Sequence, residues 1–586
     1  MVKVNGIAES LQKIVEMVSK ENLMEYTSKV SSEVRLSGTS EELRAFRYVK
    51  ETLESFGVST NLQHNDAYIS LPISASLKVN SQPVSCITHS MAASTPKDGL
   101  QGEIMYVGKG TDEDYENLHI DNKVVILDGL AVPGAVKKAQ DFGAIAAIFI
   151  NAEYTHEMIV SPVWGNPTPE TISLLPNIPV VSVNYHDGLM IKKNLQKGSS
   201  SNLHAWIKTE VDTGWRKIPT LTAEIKGSTD SEHYVLFSGH IDSWHYGAMD
   251  NGSANATMIE IARILSHYKT DLRRSLRFAF WSGHSHGRYA GSTLYCDANW
   301  EDLHDHCVLH INVDSVGAKD AVVLSEANCM AETKELGGRI VEEFTGQTFY
   351  GTRFGRAGDQ SFLGAGIPSL FMGLSEQELT NTPATEAFAQ LFGGGRAGGF
   401  GWWWHTTEDT IDKIDPDNLE RDCKIYAAVV AKACTDDVIP INQLAAVDEL
   451  REALLNYQKI SINKLDLSVS VKRIEELKNL TSKLQDATVM SLSDECITLV
   501  NLGLLKLSRI LVPLNYVQGD LFHHDPAMKQ FIIPALADIE KLASCQEGDE
   551  EYYMLKTKLF RQTNKVNYML KQAILTVEDV LDKLSS

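Results

Sequence analysis

An α/β fold is predicted by two patterns along the chain and supported by a third. Between about residues 215 and 437, apolar strand-like runs at 234–238, 276–281 and 308–313 alternate with helical stretches. One of these, 253–267, places Met258, Ile261 and Leu265 on a single face. Such alternation builds a sheet with several parallel strands. Polar residues recur just after the runs, at His240, His284 and Asp314. Ligands in open α/β sheets bind there, outside the carboxyl ends of the strands. Beyond about 438, glycine thins out and Leu, Lys and Glu return at helical spacing, which adds a helical segment.

Four segments are expected. Residues 1–90 hold a helix at 42–56 with Leu43, Phe46, Val49, Leu53 and Phe56 on one face. Ser40, Glu41 and Glu42 start it, and Gly57 ends it. Residues 91–214 read as a small α/β unit with its own core. Its strands fall at 123–127, 147–150 and 177–183, its helix at 135–142, and a four-proline loop between Ser161 and Pro179 lies on its surface. Residues 215–437 carry the strand-end polar residues. Residues 438–586 hold helices at 447–460, 470–485 and 554–586, read as a packed helical domain with subunit contact as an added role.

At 586 residues the chain is too long for one core. Its formal net charge of -22 does not suit a nucleic-acid or anionic-membrane binder, since both attract basic surfaces. The eight cysteines contain no CxxC pair, so neither a zinc ribbon nor a disulfide framework is expected. Residues 1–20 lack the uncharged apolar core of a signal peptide. No run of about 18 apolar residues is seen, and no membrane span is expected. These features lead to the expectation of a cytoplasmic enzyme or binding protein.

A hydrolytic metal site needs three or four fixed ligands, and imidazole with carboxylate suits zinc and its first-row neighbours. His240, Asp250, Asp314 and His405 form the candidate set. A lone histidine after a strand is usually structural, but four such residues beside strand ends or glycine turns point to a site. Asp242 could orient the His240 imidazole or simply form a turn.

Four stretches are similar to the M28 family of metallopeptidases: Ser238-Gly239-His240-Ile241-Asp242-Ser243-Trp244, Gly247-Ala248-Met249-Asp250-Asn251-Gly252, Asn312-Val313-Asp314-Ser315-Val316-Gly317, and Trp404-His405 through Asp412. Leu36-Ser37-Gly38-Thr39 resembles the family's N-terminal stretch. The four-part layout resembles the glutamate carboxypeptidase and transferrin-receptor branch. That resemblance implies a zinc-peptidase-like mixed sheet flanked by helices. It also implies a protease-associated domain inserted at 91–214, the main catalytic domain at 215–437 and a helical dimerisation domain at 438–586. It implies a homodimer; a small molecule or short peptide is the expected substrate, and from charge and composition no nucleic-acid or membrane partner is expected. It further implies two zinc ions, one on His240, Asp250 and Asp314, and one on Asp250, His405 and a glutamate that follows a general-base glutamate.

Here the chain departs from the family. Within 280–292, His284 falls at the base position and Ser285 at the ligand position, so both glutamates are missing. Three readings stay open: His284 as a ligand that restores the second metal with His405 and Asp250, His284 as the base of a one-metal enzyme at the His240, Asp250 and Asp314 site, or loss of peptidase chemistry. One or two zinc ions, or another divalent first-row metal, would fit the first two. The retained ligand positions favour a metal-dependent hydrolase of an amide or peptide C–N bond with an altered reaction. The alternative is an inactive dimeric binding protein on a peptidase fold. His286 is a further candidate, or a residue of a solvent-exposed turn. Arg288 and Arg356 could bind a substrate carboxylate, and Asp359 falls among residues the family places on the substrate side. Trp404 follows a glycine-rich run at 393–401 that could shape a pocket; its GxGxxG match lacks a strand-turn-helix context.

Overall fold

The computed structural model describes residues 9–196, 203–355, 358–392, 398–488 and 492–585. The fold is mixed α/β with a helical C-terminal region, organised on a fourteen-stranded sheet among the described residues. Its functional half centres on the strand Asp230–His240. This strand lies between Arg274–Trp281 and Cys307–Asn312 and runs parallel to both. Both its faces are covered, which is why its apolar run is continuous. Val235 and Phe237 join the main core, whereas the alternating Tyr234 and Leu236 point into a second cluster with Trp281, Leu303 and Phe362. The helix Ala254–His267 packs on the main-core side and buries Met258, Ile261 and Leu265.

Register fixes where the strands end. Trp281 stands opposite His240, and Asn312 opposite Ser238. The loops after all three strands therefore leave the sheet at the same edge.

The second segment has a smaller core, which includes Val124, Ile126, Ile148, Val181 and Ile191. It sits on the parallel strands Leu100–Tyr106, Val124–Asp128, Ala146–Ile150 and Val180–Val183. What the sequence reading did not anticipate is the ribbon that joins the two halves. Ser59–Val79 pairs antiparallel with His204–Ile225, with a register shift between Pro72 and Ser74. The latter strand runs unbroken through 214/215, so the chain shows no linker at that expected boundary.

The helical region contains Gln443–Ile460, Ser468–Thr488, Asp494–Tyr516 and Glu550–Ser585. Asp494–Tyr516 corrects the expectation that no segment is apolar enough to cross a bilayer, since it qualifies by length and composition. Two-thirds of its most apolar window is buried inside the protein. Its polar side chains find partners there. Asn501 Oδ1 accepts from Ile439 N at 2.9 Å, and Arg509 donates to the carbonyls of Gly366 at 2.8 Å and Cys307 at 2.6 Å. It is a core helix whose apolar surface is spent on protein packing.

Candidate metal centre

The common strand edge brings the chemistry together. His240 is the last residue of the central strand, Asp314 follows the strand on one side, and His284 follows the strand on the other. Adjacent strands lie about 4.8 Å apart, so residues leaving neighbouring strand ends can converge. His240, His284 and Asp314 each offer a ligand atom, and these atoms lie within 4.8 Å of one another. Asp250 arrives from the next loop and stands between two imidazoles. Its Oδ1 is 3.1 Å from His240 Nε2, and its Oδ2 is 3.0 Å from His405 Nε2. Asp314 Oδ2 is 3.5 Å from His240 Nε2.

Each imidazole is anchored through its other nitrogen. His240 Nδ1 bonds the Asp242 carbonyl at 2.9 Å, His405 Nδ1 bonds the Glu157 carbonyl at 2.6 Å, and His284 Nδ1 bonds Asp359 Oδ2 at 2.8 Å. A carbonyl or carboxylate on Nδ1 fixes the tautomer and leaves Nε2 for a metal. Rings pack the site tightly. His240 and His284 stack with centroids 3.7 Å apart, Trp404 stacks on His405 at 3.4 Å, and Tyr289 meets His284 edge-on at 4.8 Å.

The donor set fits a divalent ion. His240 Nε2 and Asp250 Oδ1 are buried and have no hydrogen-bond partner, although they face each other at 3.1 Å. Two such lone-pair atoms need a cation between them, or a proton. Burial opposes charging His240, but Asp314 and the contacts to Asp242, Asp250 and Asp314 outweigh it and hold its pKa well above the usual histidine value. For Asp250, too, burial is overcome, here by His240 and His405, and its pKa lies below the usual aspartate value.

Asp242 ties the pieces together. Its carboxylate accepts from Ser37 Oγ at 2.7 Å, His284 N at 3.3 Å and Ser285 N at 2.9 Å. Ser285 is buried beside it and brings no charge.

Several residues singled out in the sequence take other roles. Arg288, read as a carboxylate binder, is buried, and its guanidinium donates to the carbonyls of Ile159 and Ser161; those bonds occupy it. Asp359, read as facing the substrate, is buried behind His284, where it also accepts from Ser292 Oγ at 2.7 Å. His286 is buried rather than on an exposed turn, with Nδ1 2.9 Å from Ser37 Oγ. Trp404 is buried and stacks on the His405 ring, with Phe388 edge-on to it. Arg356 and residues 393–397 of the glycine-rich run lie outside the described residues.

Three residues at the site went unassigned in the sequence. Asp409 lay inside a quoted motif, and Arg35 directly precedes another; adjacency was the only signal for either. Glu157 gave none, because only the fold brings the second segment against His405. Its carboxyl is pushed up to about 8 by burial.

Comparisons with known proteins agree with this geometry. Residues 220–430 match the model for "Peptidase family M28". "Probable glutamate carboxypeptidase VP8" of Zea mays is 27% identical over 346 residues, 48% of this chain and 48% of that protein. "Probable glutamate carboxypeptidase AMP1" of Arabidopsis thaliana is 24% identical over 60% of this chain and 61% of its own length. The chain thus spans about half to three-fifths of these relatives. Among solved structures, an aminopeptidase from Aneurinibacillus sp. strain AM-1 superposes with a TM-score of 0.54 at 21% identity, over 72% of this chain and 96% of that one. A zinc aminopeptidase from Bacillus subtilis gives a TM-score of 0.53 at 20% identity, over 72% of this chain and 96% of that one. The strand-end site and the matching model agree: residues 220–430 of this chain, which carry His240, Asp250, His284, Asp314 and His405, are similar to peptidase family M28.

Proposed function

We propose that this chain is a metal-dependent hydrolase acting on an amide or peptide C–N bond of a small molecule or short peptide, with His284 in a ligand's place. The observation that carries this reading is the shared anchoring of three imidazoles, each held at Nδ1 and turned toward Asp250 or Asp314. An Nδ1–carboxylate bond like that of His284 to Asp359 supports a metal-bound histidine and equally a general base; the grouping of His284 with His240 and Asp314 favours the ligand role. His240, His284 and Asp314 would hold one ion, with Asp250 between it and His405. When bound, zinc or another divalent first-row metal would supply Lewis acidity and a water of lowered pKa. Asp250 and His405 would offer a second ion only two protein ligands, since Ser285 is neutral.

Zinc titration of the chelator-treated protein tests this. We expect one tightly bound ion per chain, and at least about 100-fold weaker binding in His284→Ala, a larger loss than removal of a supporting partner brings. Two equally tight ions, or unchanged binding in His284→Ala, would sink the ligand assignment. Wild-type protein that binds no zinc or manganese would favour the inactive binding protein, the reading supported by the missing glutamates.

The same proposal takes 91–214 as a protease-associated-like insertion and 438–586 as the surface for a second copy. On the helix Glu550–Ser585, the exposed side chains Tyr553, Phe560, Tyr568 and Leu575 recur about every seven residues. That spacing lays them along one face and supports the homodimer. Eight unpaired cysteines support placement in the cytoplasm.

A further inference from the structure

The loop that ends in Asp250 is gripped by two buried side chains from distant parts of the chain. Arg35 donates to the carbonyls of Tyr246 at 2.6 Å and Gly247 at 3.1 Å, and to that of Ile241 at 2.8 Å near the loop's start. Asp409 accepts from the backbone N–H of Met249 at 2.9 Å and of Asp250 at 3.0 Å, while its own carbonyl accepts from Ala248 at 3.1 Å. Five consecutive residues, 246–250, therefore each have a backbone polar group bonded to one of these two residues. Both are buried, Arg35 at 0% exposure and Asp409 at 2%. Buried backbone groups need partners; the bond from Gly252 N to the Gly247 carbonyl at 3.0 Å comes from the turn itself, and Arg35 and Asp409 supply the others named.

The placement gives this grip a role beyond packing. The loop starts after His240 and ends on Asp250, and Asp409 lies four residues beyond His405. Three candidate ligands are thus set relative to one another through two side chains. We propose that Arg35 and Asp409 form a two-sided positioning clamp on residues 241–250, which holds Asp250 between His240 and His405 and so sets the affinity of the site for a divalent metal ion.

This rests on the metal-site reading above, and the test separates the two. Zinc affinity is measured by chelator competition in the wild type, Arg35→Lys, Asp409→Asn and the double variant, and thermal unfolding of each metal-free protein is followed alongside. Lysine keeps the charge but loses the fork; asparagine keeps the size and one acceptor oxygen. Each folded single variant should bind zinc about 10–100-fold more weakly, the loss typical when a ligand's supporting partners are removed. The double variant should lose less than the product of the two, because both act through one loop. Folded single variants with wild-type affinity would overturn the clamp and leave both residues as stabilisers of the fold. If Arg35→Lys does not fold, the near-isosteric Asp409→Asn decides. A wild-type protein without zinc affinity would overturn the metal reading itself.

Discussion

His284 shows how one side chain's partner decides its chemistry. Its Nδ1 faces a buried carboxylate at 2.8 Å, and Ser292 Oγ holds the other oxygen of that carboxylate. An asparagine at 359 would keep the shape and remove the charge that makes the imidazole a stronger ligand. Asp359→Asn should therefore weaken zinc binding by about 10–100-fold, read by chelator competition. Wild-type affinity in that variant would count against His284 as a ligand. Neighbouring Asp409 carries a different constraint. Burial and then the charge of Asp250 push its carboxyl up to about 7, against the two N–H bonds it receives.

At the scale of elements, parallel register and a tight turn deliver the ligands. Gly247 opens the turn into Asp250 with φ +53, and a Cβ there would come within 2.2 Å of the Asp250 carbonyl oxygen and 2.6 Å of Ser243 Cβ. The left-handed backbone alone disfavours a side chain, and the clash falls on backbone. Gly247→Ala should destabilise the metal-free protein by about 1–3 kcal/mol, measured by urea unfolding. An unchanged midpoint would show that the loop can relax. The strands, by contrast, are set by their apolar runs. Val124–Asp128, Ala146–Ile150 and Arg274–Trp281 fall within two residues of the sequence-predicted runs, because a strand buried on both faces needs continuous apolar sequence. The ribbon of Ser59–Val79 and His204–Ile225 escaped notice because it is half exposed and its pairing spans more than a hundred residues.

For the whole molecule, buried acids set the response to pH. Desolvation raises Glu376 to about 8, with Glu326 adding to it, and desolvation raises Glu332 to about 7. Between the ordinary glutamate value and these values, the folded state keeps protons that the unfolded chain has released. Their stabilising contribution is present below about pH 4.5 and is lost as pH rises through about 7 to 8. The melting temperature should fall across that window. Glu376→Gln should flatten the fall by an amount on the order of a few kcal/mol; a melting profile parallel to wild type would exclude Glu376 as its source.

By itself the sequence determined the α/β class, the helical C-terminal region, and His240, Asp250, Asp314 and His405 as a candidate set. These are written locally, in apolar periodicity and in polar residues at strand ends and turns. It also exposed the replacement of two glutamates by His284 and Ser285, while leaving the role of His284 open. Only the tertiary structure decided that Asp359 stands behind His284, that Arg288 is occupied by carbonyls, and that Arg35 and Asp409 meet on one loop. Those facts depend on hydrogen bonds between residues 75 to 211 positions apart. No local pattern encodes such pairings; they follow from burial, which obliges each polar group to find a partner wherever the fold provides one.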